Sequence, residues 1–163
     1  MDVVDIHPAN NENTERCREC GGSCCKGNPG ACLPSDFGEP FDPILLRNAL
    51  CSGRYCLDWW EGDIEGLPSP RDRHWYVRPT YQGSEGKTLC GGWGGRCTFL
   101  TDAGCSLTFD RRPWGCRFLV PSKNDDEDCV MEDPSDKEFS VRAWNAVDIE
   151  GFVESEGIRF YPT

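Results

Sequence analysis

Four cysteines crowd into the nine residues CRECGGSCC at positions 17 to 25, and the whole chain of 163 residues carries twelve. They fall into two dense groups, 17 to 32 and 90 to 129, with only Cys51 and Cys56 between them. Apolar residues reach just 37%, while 18 Gly and 12 Pro favour turns and loops. A chain of this kind has the length of one domain but little aliphatic core, so it needs cross-links or bound metal to hold its loops together.

Redox compartment usually decides between those two staples. The opening MDVVDIHPANNENTER has acidic residues by position 5, no basic start and no apolar run, so it does not read as an export signal. No stretch approaches the length of a membrane-spanning helix. The expectation is therefore a cytoplasmic protein whose thiols bind metal. A formal net charge of −11 excludes generic binding to nucleic-acid backbone, which relies on clustered Lys and Arg. With membrane and nucleic acid set aside, a protein partner of unspecified kind is the remaining class.

Along the chain, residues 1–15 are polar and aperiodic and read as a flexible tail, and 16–163 as a single cysteine-rich metal-binding domain. FDPILLRNALCSG predicts a short helix capped by Asp42, with Pro43 in its first turn, Ile44, Leu45 and Ala49 on its apolar side, and Gly53 ending it. YCLDWWEG and HWYVRP predict extended segments whose tryptophans supply core in a chain poor in aliphatics. CTFLTDAGCSLTF at 97–109 predicts a β-hairpin turning at Thr101 to Gly104, with Cys97 and Cys105 at its base. A second helix is expected from Ser135, with Glu138 completing a capping box, Phe139, Ala143, Trp144 and Val147 at helical spacing, and Gly151 as its stop. The fold class is thus α+β: small, loop-rich and metal-stabilised, with a β-hairpin and two or three short helices. The acidic run NDDED at 124–128 reads as a solvated loop, and GGWGG at 91–95 as a loop that lacks the helix and Lys-Ser/Thr of a phosphate site.

Cys17 and Cys20 have the two-residue spacing that lets a tight turn aim two sulfurs at one metal. Redox dithiols share that spacing, but they need a strand before it and a helix start within it. Cys24 and Cys25 raise the local count to four thiols. Adjacent side chains diverge in extended backbone, so one closes a first site while the other serves a second metal or the core. Cys97, Cys105, Cys116 and Cys129 are the distant partners that would complete two four-coordinate sites or one iron-sulfur cluster. Arg112 and Arg117 are expected beside the thiolates, donating hydrogen bonds and offsetting negative charge. His7 lies in the tail, and His74 reads as packed or on the surface rather than ligating.

The order CRECGGSCC followed by CTFLTDAGCSLTFDRRPWGCRF resembles the YkgJ-type cysteine-cluster family, zinc- or iron-chelating proteins with a CxxC-to-CC motif. The matching positions are Cys17, Cys20, Cys24 and Cys25, then Cys97 with Leu100, Gly104-Cys105, and Arg112-Pro113 with Cys116-Arg117. The resemblance implies binding of zinc, iron or an iron-sulfur cluster and leaves the biochemical role open. Cys32, Cys51, Cys56 and Cys90 depart from the pattern; they are read first as buried free thiols, then as a second metal site, then as disulfides.

Thiolate ligands suit zinc and iron alike, so the metal is not assigned. The favoured function is a metal-binding protein with a structural or accessory role, since no catalytic constellation is present. One alternative is an iron-sulfur or iron-dependent enzyme of a modification reaction, suggested by a related motif in flagellin lysine methylase-like proteins. Asp58, Glu61 and Asp63 are candidate acids for its open coordination position. Another is a metal carrier or sensor.

Overall fold

The computed structural model describes residues 29–60, 63–67, 74–92, 94–117, 119–120, 130–131 and 136–157. Its centre is a two-stranded antiparallel ladder. Strand β1 (Tyr55–Trp60) pairs with β2 (His74–Pro79), setting Cys56 opposite Arg78, Leu57 opposite Val77, Asp58 opposite Tyr76 and Trp59 opposite Trp75. Because side chains alternate across a strand, Leu57, Val77, Trp59 and Trp75 share one face, and Cys56, Arg78, Asp58 and Tyr76 share the other. Every residue of β2 is buried, so both faces are covered. Leu57, Val77 and Trp75 join the main core with Leu46, Val141 and Trp144, and Trp59 and Trp60 pack against it. The aromatic segments therefore do supply core, each fully buried large side chain contributing about 1.5–3 kcal/mol.

Irregular chain occupies both edges of the ladder. The amide of Leu57 donates to the Thr88 carbonyl at 2.7 Å, and that of Cys90 to the Leu57 carbonyl at 3.0 Å, so residues 88–90 run parallel to β1. On the far side the Cys32 amide donates to the Val77 carbonyl at 2.8 Å.

The described residues form four short helices rather than two or three: α1 (Pro43–Cys51), α2 (Trp114–Arg117), α3 (Asp136–Trp144) and α4 (Ile149–Ser155). Helix α1 has the expected start, Asp42 Oδ1 accepting from the Ile44 amide at 2.9 Å, and Gly53 follows it at a φ of 78°. Its buried residues are Leu46 and Leu50, however, while Ile44 and Leu45 are exposed. Apolar residues at 44, 45, 46, 49 and 50 wrap most of the helix, so periodicity alone leaves the inward face open.

Helix α3 begins just after Ser135, whose capping role lies outside the described residues. Val141 and Trp144 enter the core, while Phe139 stacks on Trp114 with ring centroids 4.6 Å apart. Gly151 does not end this helix. The chain leaves it after Trp144, and Asp148 starts α4 by accepting from the Gly151 amide at 3.0 Å. Ile149 and Val153, four residues apart, give α4 its own buried stripe.

The hairpin is present but short. Strand β3 (Leu100–Thr101) pairs with β4 (Gly104–Cys105), Leu100 facing Cys105 and Thr101 facing Gly104. Cys97 lies outside that ladder and bridges to Tyr81 instead. A further pair, β5 (Leu119–Val120) and β6 (Val130–Met131), flanks the acidic run and Cys129, which lie outside the described residues. Among the described residues no helix is long and apolar enough to cross a membrane.

Candidate metal centre

Residues 30–33, which follow CRECGGSCC after a few positions, are clamped on three sides. Beyond the Cys32 amide on β2, the Cys32 carbonyl accepts from Ser140 Oγ at 2.6 Å and from Trp144 Nε1 at 2.9 Å, both on α3. The Ala31 carbonyl accepts from the Gly115 amide of α2 at 2.8 Å. Gly30 meets α2 so closely that a Cβ there would lie 2.6 Å from both the Cys116 amide nitrogen and Cys116 Sγ. Only glycine permits that approach. Gly30→Ala is expected to destabilise the protein by about 1–3 kcal/mol through overpacking, measured by urea unfolding.

Asp36 fixes the other side of α2. It sits in a 3-10 turn, Pro34–Phe37, where its Oδ2 accepts from the Leu33 amide at 2.9 Å and from the Trp114 amide at 3.0 Å. Its Oδ1 accepts from the Arg117 guanidinium at 2.8 Å. One carboxylate thus ties the segment behind the first cysteine group to the RRPWGCR stretch. Sequence reading did not single out Asp36, since one acid among 28 acidic residues carries no local signal.

The acid and thiols gathered here are held toward their neutral forms, chiefly by burial. Burial raises the Asp36 carboxyl above its ordinary range, against the pull of Arg117 and the amides. Burial also raises the Cys32 thiol, with Asp36, Cys116 and Cys97 opposing its ionisation further. Cys97 is pushed up to about 11, chiefly by burial, with Cys105 adding to the rise. Ionising such thiols in place would take a bound cation to offset the desolvation. Beside Cys32 opens a cleft of about 620 Å³ walled by Asp36, Arg54, Tyr55, Phe99, Arg112 and Arg117.

Of the eight expected ligands, Cys97, Cys105 and Cys116 are described, whereas Cys17, Cys20, Cys24, Cys25 and Cys129 lie outside the described residues. Cys97 and Cys105 pack in one cluster with Phe99 and Leu100. Cys32, absent from the expected set, has both Cys97 and Cys116 near enough to shift it. No three of the described His, Cys, Asp or Glu side chains converge to hold an ion. The donors suit a metal in kind and fall short in number, so any site needs thiols from beyond the described residues. Arg117 pairs with Asp36, while Arg112 Nε donates to the Leu107 carbonyl at 3.2 Å.

His74 is packed, only 5% exposed. Asp58 is not a spare acid: its Oδ2 accepts from Arg78 Nε at 2.9 Å and from the Tyr76 hydroxyl at 2.8 Å. Glu61 lies outside the described residues. In the GGWGG loop Trp93 also lies outside them, but Gly92 rests against the Tyr81 ring. Cys32, Cys51, Cys56 and Cys90 are free thiols; Cys32 and Cys56 are buried, Cys51 is exposed, and Cys90 is half-buried beside Cys56. No family model, curated protein or solved structure matches the chain.

Proposed function

We propose that this is a cysteine metal-binding protein, holding zinc, iron or an iron-sulfur cluster between its first cysteine group and the 97–129 region, in a structural or accessory role. The observation that carries the reading is the contact of Gly30 with Cys116, reinforced by the Gly115 to Ala31 hydrogen bond. Five positions separate Cys25 from Gly30, so the covalent chain keeps Cys25 within roughly 18 Å of the Cys116 region. The cysteine order shared with the YkgJ-type family supports the same pairing of groups. So does Arg117, whose Nε is a buried donor with no partner among the described residues. A guanidinium that also serves a thiolate would keep such a donor in reserve.

The test is anaerobic purification followed by measurement of zinc, iron and labile sulfide per chain. Metal bound in stoichiometric amount is expected, and Cys20→Ser and Cys116→Ser are each expected to lower it, although they lie 96 positions apart. A metal-free protein with all twelve thiols paired would sink the reading. Full metal retention in either variant would remove that cysteine from the ligand set.

A further inference from the structure

Cys56 and Cys90 belong to neither half of the candidate metal centre, yet the fold brings them together. Leu57 is bracketed by its bonds to Thr88 and Cys90, which puts Cys90 diagonally next to Cys56 along the β1 edge. The parallel pairing of Leu57 with Leu89 puts the Cys56 and Cys90 side chains on the same face, near enough for each thiol to shift the other's ionisation. Directly across the ladder from Cys56 stands Arg78, wholly buried, its guanidinium donating to Asp58, to the Pro79 carbonyl at 2.9 Å and to the Cys90 carbonyl at 2.6 Å. Arg78 and Ser84 also lie near enough to the Cys90 sulfur to favour its thiolate. The Arg78 guanidinium lies 3.8 Å from the centre of the Tyr81 ring, which fixes its plane.

The two thiols are unequal in access and in chemistry. Cys56 is fully buried, whereas Cys90 is half-exposed at the start of the GGWGG loop. The Cys90 residue stands beside the buried Arg78 guanidinium, a cationic environment that stabilises a thiolate. Its pKa is pulled down to about 5, chiefly by the neighbouring Cys56 thiol, with burial opposing and Arg78 and Ser84 assisting. Cys56 is held far above the ordinary thiol range by Cys90 and by burial. The charged and titratable groups facing Cys90 are Cys56 and Asp58 from β1, Arg78 from β2, and Tyr81 from the following loop.

We infer that Cys90 and Cys56 form a peroxide-reactive thiol pair, Cys90 being the accessible nucleophile and Cys56 the buried resolving thiol. The Cys90 thiolate attacks one oxygen of a hydroperoxide, here hydrogen peroxide. An S–O bond forms as the O–O bond breaks, sulfur gives up two electrons, and hydroxide departs. Cys56 then attacks the sulfenic sulfur of Cys90. The S–S bond forms as the S–O bond breaks, and the departing hydroxide takes the Cys56 proton as water. One thiolate, one thiol and one peroxide thus yield one disulfide, one water and one hydroxide.

Two measurements on the full, reduced chain test this. Cys51 is an internal reference because it is exposed and free. At pH 6 a thiol of ordinary pKa is ~0.3% thiolate while Cys90 would be mostly thiolate, and the lower nucleophilicity of a low-pKa sulfur returns part of that gain. Limiting iodoacetamide with peptide mapping should therefore label Cys90 about tenfold faster than Cys51. That lead should shrink as pH rises toward about 9, where ordinary thiols ionise. After one equivalent of hydrogen peroxide and blocking of residual thiols, non-reducing peptide mapping should recover a Cys56–Cys90 linkage. In Cys56→Ser, Cys90 should stop at the sulfenic acid and be trapped by dimedone. Equal labelling of Cys90 and Cys51 at pH 6 overturns the nucleophile, and peroxide that links Cys90 to another cysteine, or to none, overturns the pair. Both wild-type readouts stand whether or not the variant folds.

Discussion

Replacing Asp58 by alanine is expected to cost the fold about 3–5 kcal/mol, a large share of the 5–15 kcal/mol that holds a typical domain together. Arg78 and Asp58 have side chains only 1% and 4% exposed, and their 2.9 Å bond lies inside a face of the ladder that the rest of the chain covers. Removing the carboxylate strands a guanidinium away from water. It also takes the acceptor from the Tyr76 hydroxyl, since both donors use the same Oδ2. The remaining guanidinium bonds, to the Pro79 and Cys90 carbonyls, carry no negative charge, and the neighbouring Cys90 thiolate offsets the loss only in part. Urea unfolding followed by tryptophan fluorescence measures the loss as a shift of midpoint at constant slope. A loss below about 1 kcal/mol, the scale of an exposed pair, would mean that Arg78 reaches solvent or another acid.

Trp144→Ala should have an effect of the same order, about 3–5 kcal/mol, for a different reason. The indole is 2% exposed and fills the space between Phe37 and Phe41, whose ring centres lie 6.0 and 5.7 Å away. Alanine leaves a cavity there and removes one of two donors to the Cys32 carbonyl. Ser140→Ala removes the other donor with almost no change of volume, and about 1 kcal/mol is expected. The pair of variants thus separates packing from hydrogen bonding at one carbonyl. If Ser140→Ala cost as much as Trp144→Ala, the Cys32 carbonyl rather than the indole would be the element that holds α3 in place.

The parts of the fold that were legible in the sequence are those set by neighbours in the chain. Asp42-Pro43 announced α1, and the aromatic runs YCLDWW and HWYVRP, bounded by Gly and Pro, announced β1 and β2, because capping and turn chemistry act over a few residues. The inward face of α1 was not legible, since Leu46 and Leu50 compete with Ile44 and Leu45 on a helix apolar nearly all round. The split between α3 and α4 was missed because Asp148 takes the cap that makes Gly151 part of a helix instead of its end.

For the candidate centre, spacing pointed to Cys97, Cys105 and Cys116 as one group, and of these Cys97 and Cys105 pack in one apolar cluster. The central place of Cys32 and the clasp of Asp36 on Trp114 and Arg117 arise from contacts some 80 positions apart. The nearness of Cys56 to Cys90 depends in the same way on the parallel run of residues 88–90. No local pattern encodes such meetings.

The covered edges of the central ladder bear on how the protein behaves in company. A two-stranded sheet ordinarily offers two rows of unpaired amides and carbonyls to any passing strand. Here one row is met by Thr88 and Cys90 and the other by Cys32, so both guards are cysteine-bearing segments rather than regular strands. Whatever loosens those segments, including damage to their thiols, uncovers strand edge and tryptophan core together. Solubility and thiol chemistry are therefore coupled in this chain, and aggregation on ageing or oxidation is expected to begin at the flanks of β1 and β2.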